Sequence, residues 1–157
     1  MMSEIEIFEC DFSIVLHRQK LVELMNDYIE DEMGGGEPLK GEKMILLING
    51  LKDHPSKLIL FASVNQQIVG LTNCFINFST FAAQPFINIH DIIINKNYRC
   101  KGVGKALMNE ISKKANELKC SKITLEVRED NHHAQQLYKN LGYGVCEPNM
   151  YFWTKYL

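Results

Sequence analysis

Residues 95–107, NKNYRCKGVGKAL, constrain the fold of this chain more than any other stretch. They stand where an apolar strand-like run (Ile89, Ile92, Ile93, Ile94) ends and a helix-like run (Val103, Leu107, Ile111, Leu118) begins. Gly102 and Gly104 sit at the junction. Glycine tolerates positive φ and lets a ligand approach main-chain N–H groups without a Cβ in the way. Successive N–H groups at a helix start, with Arg99, Lys101 and Lys105 close by, predict an anion site, best suited to a pyrophosphate. A plain glycine-containing strand-to-helix turn is the competing reading, because short glycine motifs produce false positives.

The surrounding pattern describes a mixed sheet. Residues 4–10 alternate enough for a first strand, with Asp11 or Ser13 as helix N-cap. Helical spacing follows from residue 14 to about 30, ending in an acidic segment and Gly34-Gly35-Gly36. Pro38 is placed to open a second helix, residues 39–52, closed by His54-Pro55. Residues 57–64 and 68–78 form a hairpin around a tight turn at 65–67, and residues 79–85 break before a strand at 86–94. A helix from about 102 to 118, a strand at 121–128, a short helix at 132–141 closed by Gly142, and final strands at Val145 and 151–156 complete the order βααβββαβαβ(β). Antiparallel hairpins come first and a right-handed β-α-β crossover later, with its ligand at the carboxyl end of the strand.

At 157 residues one domain spanning the whole chain is the simplest expectation, and a domain of this size buries about 68–70% of its unfolded surface. The charges nearly balance, 17 Lys plus Arg against 19 Asp plus Glu, so no global field favours nucleic acid or a membrane, and anion binding must be local. Five widely spread cysteines with no C-x-x-C pair argue against a disulfide framework or a zinc site. The N-terminus has no basic n-region with an apolar h-region, and no apolar run approaches 18 residues. The expectation is a cytoplasmic protein with neither export signal nor membrane span.

Two common phosphate loops fail against these residues. In the P-loop pattern, Arg99 stands where the first Gly belongs and Ala106 replaces the Mg²⁺-binding hydroxyl. The dinucleotide fingerprint needs a third glycine where Leu107 stands, and the preceding hairpins do not suit a doubly wound fold. What fits is R-x-x-G-x-G, Arg99-Cys100-Lys101-Gly102-Val103-Gly104. Here the chain resembles the GNAT superfamily of N-acetyltransferases, whose loop binds the pyrophosphate of acetyl-coenzyme A. The strand His90-Asp91-Ile92-Ile93-Ile94 looks like the family's D-[hydrophobic]-x-V strand, and Tyr98-Arg99 like its Y-R-G, with Cys100 departing from the usual Gly. Thirty residues on, Asn131-x-x-Ala134-x-x-Leu137-Tyr138 followed by Leu141-Gly142-Tyr143 resembles a second family segment. Joint occurrence, in order and after a matching preamble, implies the acyl-CoA N-acyltransferase fold: an α/β (α+β) mixed sheet, β-α-α-β-β-β then α-β-α-β.

The resemblance implies acetyl-CoA as acetyl donor and no metal. Main chain of Ile92, Ile93 and Ile94 would hold the pantetheine arm as an added strand would, and residues 99–105 the pyrophosphate. Asn131 would cap the short helix while bonding the coenzyme beside Ala134. Tyr138 becomes the candidate general acid for the leaving thiolate, against its reading as a core-edge aromatic. His90 is the candidate base, since an imidazole accepts a proton near neutrality, against its reading as a core histidine. Asp91 alternates to the opposite face for a structural bond. His132 and His133 lack a third ligand at metal spacing.

The acceptor should meet the variable parts. Tyr28, Asp31, Glu32 and the glycine triplet, then Ser79 and Thr80, and Glu126 inside Leu125-Glu126-Val127, are the candidates; the acids could draw a cationic amine or merely face solvent. The expected activity is N-acetylation of a small primary amine by direct attack in a ternary complex. The alternatives are acetylation of a protein or peptide, and a non-catalytic acetyl-CoA sensor or interaction module. The last strands suit a homodimer contact.

Overall fold

The computed structural model describes residues 4–157. The elements are β1 (Ile5–Glu9), α1 (Val15–Ile29), α2 (Glu42–Asp53), β2 (Lys57–Val64), β3 (Gln67–Ser79), β4 (Gln84–Ile94), a 3-10 turn (Lys96–Tyr98), α3 (Val103–Glu117), β5 (Ile123–Leu125) and α4 (His132–Asn140). They fall into two compact units, one ending at Glu126 and one from Val127 to Leu157.

The first unit is one sheet in the order β1-β2-β3-β4-β5. The first four strands are antiparallel neighbours, and β4 and β5 are parallel, joined through α3. The β2–β3 hairpin turns on Asn65 and Gln66, both at positive φ (49° and 65°), the twist that two-residue hairpins favour. On one face α1 and α2 pack through Leu21, Leu24 and Leu51 against Ile59, Phe61, Leu71 and Ile93. Val103, Leu107, Met108 and Ile111 of α3 are also buried. Their i, i+4, i+8 recurrence is the stripe that makes a helix amphipathic.

Three boundaries depart from expectation for local reasons. Asp11 spends its carboxylate on Ser13, accepting from the backbone N–H at 2.8 Å and the hydroxyl at 2.6 Å. Ile14 is therefore the N-cap of α1, with no side-chain cap. Pro38 opens no helix. Leu39 is tied by its N–H and its carbonyl to Asn26, and α2 begins only after Gly41, at φ 53°. The strand expected at 121–128 contracts to Ile123–Leu125.

The second unit holds α4 and no strand among the described residues, so the final strands at Val145 and 151–156 are corrected. Tyr151, Phe152, Trp153 and Tyr156 are all exposed. An aromatic-rich run makes a strand only where a ladder partner exists, and Pro148 removes one donor besides. Helix α4 ends as the sequence predicts: Gly142 lies at φ 89°, its N–H donates to Lys139 O at 3.1 Å, and Tyr143 N–H donates to Tyr138 O at 3.0 Å. This pair of bonds is the Schellman arrangement.

Candidate functional site

β4 runs beside β5 for three pairs, Ile87 with Ile123, Asn88 with Thr124 and Ile89 with Leu125, and then leaves it. Its other edge stays on β3 as far as Ile94. The parting coincides with a bulge. Cys74 pairs with Ile89 and Asn73 with Asp91, so His90 is an extra residue in β4. Bulges bend the strand that carries them.

The bulge corrects the expected alternation of His90 and Asp91. The His90 ring lies 5.8 Å from that of Phe75, and Asp91 Oδ2 accepts from Asn73 Nδ2 at 3.0 Å. Phe75 and Asn73, two apart in β3, share a face, so His90 and Asp91 do too. His54, just past the end of α2, also meets Phe75, ring to ring 4.7 Å. Asn88 reaches Thr124 Oγ1 at 3.1 Å. Asp91 makes the structural bond predicted for it, and His90 is exposed.

Beyond the bulge, Asn95 N–H donates to Val69 O on β3 at 2.8 Å. Main-chain groups of successive strand residues point to alternate edges. Ile93 therefore turns its own toward β3, and its side chain is core. Ile92 and Ile94 turn theirs toward the edge β5 has left. Ile94 O is taken by Arg99 Nε at 3.1 Å. The Ile92 groups and the Ile94 N–H join no strand ladder among the described residues. An extended amide-bearing ligand can add there as a strand.

This edge runs directly into the start of α3. Gly102, the N-cap, lies at φ 85°, in the left-handed region that costs a side chain about 1–2 kcal/mol. No side chain caps the helix. Its first closed turn is Ala106 N–H to Gly102 O at 2.9 Å, which leaves the N–H groups of Val103, Gly104 and Lys105 without helical partners. With the helix dipole behind them they are suited to an anion. Val103 is buried, while Lys101 and Lys105 are exposed; the Lys101 ammonium stands 5.4 Å from the centre of the Tyr98 ring. Cys100 is exposed and, though not glycine, takes φ 60°.

Asp31 is placed differently from expectation. The Arg99 guanidinium is 2.9 Å from Asp31 Oδ2, so Asp31 is a buried, paired acid rather than a solvent-facing one, and Arg99 holds it with one of its five N–H donors. A contact between residues 68 apart carries no local sequence signal.

In the second unit, Asn131 Oδ1 accepts from Ala134 N–H at 3.1 Å, the N-cap bond predicted for it. Tyr138 is 7% exposed, its ring 6.1 Å from that of Tyr143.

The acceptor candidates do not gather at one place. Tyr28 packs at the edge of the core and Glu32 is exposed. Ser79 pairs with Gln84 at the far end of the β3–β4 ladder, nine residues along β3 from the Gly70–Ile94 pair, a separation of about 30 Å at strand rise. Ser79 Oγ accepts from Ala82 N–H at 3.3 Å, and Thr80 lies in the turn. Glu126 is exposed, one residue past β5. Burial pushes the Cys74 thiol up to about 12 and the Cys10 thiol, with help from Asp11, to about 11. Neither is poised as a thiolate nucleophile. No three His, Cys, Asp or Glu side chains cluster as a metal site among the described residues. Nor is any helix there long and apolar enough to cross a membrane.

Known proteins give this geometry a context. The chain is 28% identical over 93 residues to the uncharacterized N-acetyltransferase YhfO of Bacillus subtilis, a stretch covering 59% of this chain and 62% of that one. The match thus spans under two thirds of that relative's length. Its backbone superposes with a TM-score of 0.78 on an aminoglycoside acetyltransferase from an uncultured soil metagenomic sample, at 16% identity, covering 98% of this chain and 97% of the other. A second aminoglycoside N-acetyltransferase, in complex with CoA, gives 0.76 at 13% identity, over 98% and 96% of the two chains. The sequence profile of the acetyltransferase (GNAT) family matches residues 21–143, which include both glycine-marked segments and the whole sheet from β2 onward. The chain belongs to the GNAT acetyltransferase family.

Proposed function

We propose that this protein transfers the acetyl group of acetyl-CoA to a primary amine of a small molecule, with residues 1–157 working as one acetyltransferase domain. The observation that carries the reading is the continuity of two features in one segment: an open β4 edge at Ile92 and Ile94 leads straight into an uncapped helix start at Gly102–Lys105. The first suits the amide-bearing pantetheine arm, the second the pyrophosphate. The family match across 21–143 supports the single domain, and the aminoglycoside enzymes among the similar structures support a small amine.

The chemistry follows from the bonds. The neutral amine attacks the thioester carbonyl carbon, a C–N bond forms, the C–S bond breaks, and the ammonium proton and thiolate charge must both be dealt with. His90, exposed beside the bulge, takes the amine proton through water. A main-chain N–H of the open edge faces the carbonyl oxygen, a donor of the kind worth about 3–4 kcal/mol in acyl transfer. Tyr138 gives its hydroxyl proton to the departing thiolate.

The test is thiol release from acetyl-CoA across a panel of polyamines, aminoglycosides, amino acids and peptides. Turnover with a small amine supports the reading. Turnover only with peptides transfers it to protein acetylation, and coenzyme binding with no acceptor at all makes the protein a sensor.

A further inference from the structure

The loop that follows α1 is fastened to the loop that precedes α3 by one carboxylate. Asp31 is only 9% exposed. Its Oδ1 accepts from Met33 N–H at 3.0 Å, which shapes the turn at 31–34, and its Oδ2 meets Arg99 at 2.9 Å. Arg99 Nε in turn donates to Ile94 O, the last main-chain acceptor of the open β4 edge. A second, longer tie runs alongside, Asn95 Nδ2 to Asp27 Oδ2 at 3.4 Å. The turn itself has no slack. Gly34 N–H donates to Asp31 O at 2.9 Å and Gly35 N–H to Ile29 O at 3.1 Å, and a Cβ on Gly34 would stand 1.9 Å from Tyr28 O.

We propose that Asp31 is a positioning residue for coenzyme A: through Arg99 it fixes the backbone that binds the pyrophosphate, so that coenzyme occupancy and the order of loop 31–36 are coupled. The inference rests on the acetyl-CoA reading above. An anion on the N–H groups of 103–105 restrains the residues leading into α3, and Arg99 stands three positions before Gly102. Restraint at Arg99 passes to Asp31 through a charge-assisted bond, and from Asp31 to the turn it closes. Linkage makes the effect mutual: a loop ordered by an acceptor amine would tighten coenzyme binding by the same factor. Arg99 then acts on the ligand through shape rather than by touching it.

The experiment uses coenzyme A with the full chain, reading calorimetric affinity and amide exchange together. In the wild type, coenzyme A is expected to slow exchange at Met33, Gly34 and Gly35 by about tenfold, within the usual range of coupling between sites. Asp31→Asn and Arg99→Gln should each weaken coenzyme binding about tenfold, and the double variant no further than either single one. Saturating coenzyme A should then leave loop exchange unchanged in all three variants. Thermal melting verifies folding; Arg99→Gln alters a half-exposed side chain and keeps the test open if Asp31→Asn fails to fold. Independent, multiplying losses, or a wild-type loop indifferent to the coenzyme, overturn the coupling while leaving the acetyl-CoA reading intact. A wild type that binds no coenzyme A overturns both.

Discussion

Asn26 holds both main-chain groups of Leu39: its Oδ1 accepts the Leu39 N–H at 2.7 Å and its Nδ2 donates to the Leu39 carbonyl at 3.2 Å. A side-chain amide here supplies both partners of Leu39 before α2 starts at Glu42. Both bonds are half-buried, so Asn26→Ala leaves a donor and an acceptor short of partners. The expected loss is about 1–3 kcal/mol of unfolding free energy, read from urea melts. A loss below experimental error would mean that Leu39 is held by packing alone.

Acid should erase the contribution of Asp31 to stability. Its carboxyl is held below the ordinary 3.8, first by the Met33 N–H and then by Arg99. A depressed folded pKa stabilises above the unfolded value and loses that stabilisation as pH falls through the folded one. The gap in unfolding free energy between wild type and Asp31→Asn should therefore be steady from pH 7 to 5 and shrink below about pH 4. A gap that stays constant down to pH 3 would assign the effect to shape rather than charge.

Tyr138→Phe should lower turnover by about 10²–10⁴-fold if the hydroxyl protonates the thiolate. Coenzyme A affinity, measured by calorimetry, should stay within about threefold, because the ring is kept. An unchanged rate would remove Tyr138 as the acid and leave it as a buried aromatic of α4.

Gly104→Asp should abolish coenzyme binding. It puts a carboxylate beside the N–H groups of 103–105, where the helix dipole otherwise draws an anion, and an internal anion displaces an external one. Wild-type affinity in this variant would refute the pyrophosphate position. Circular dichroism should remain unchanged, since an acid in the first turn suits a helix.

Lys119 closes α3 in the left-handed region at φ 56°, with its N–H on Asn116 O and the Cys120 N–H on Ala115 O. Glycine has no Cβ penalty there, so Lys119→Gly should raise stability by about 1 kcal/mol. The midpoint of a thermal melt would show it, and a lower midpoint would count against the left-handed assignment.

What could be read in the sequence was what local chemistry determines. The stripe of Val103, Leu107 and Ile111, the Gly102 cap, the Asn131 cap and the Gly142 stop each rest on neighbours within a turn or two, and each stands where expected. What was not legible depended on distant partners. The charge of Arg99 is visible in the string, whereas its pairing with Asp31, 68 residues away, is not. The alternation that separated His90 from Asp91 assumed an unbroken ladder, and only pairing with β3 exposes the extra residue. The aromatic tail has strand chemistry, but β-propensity describes a side chain's fit to a sheet and supplies no sheet.

The bulge at His90 has a consequence for how this site could be lost. Removing that one residue would set Cys74–Ile89 and Asn73–Asp91 in immediate succession, a faultless antiparallel ladder with every other side chain still on its own face. β4 would then lose the bend that accompanies its parting from β5 after the Ile89–Leu125 pair. The opening coincides with an irregularity, and on the reading proposed above a better-formed sheet would leave no free edge for a coenzyme. His90 is thus the residue on which the irregularity itself depends, and its deletion would remove the bulge together with the imidazole.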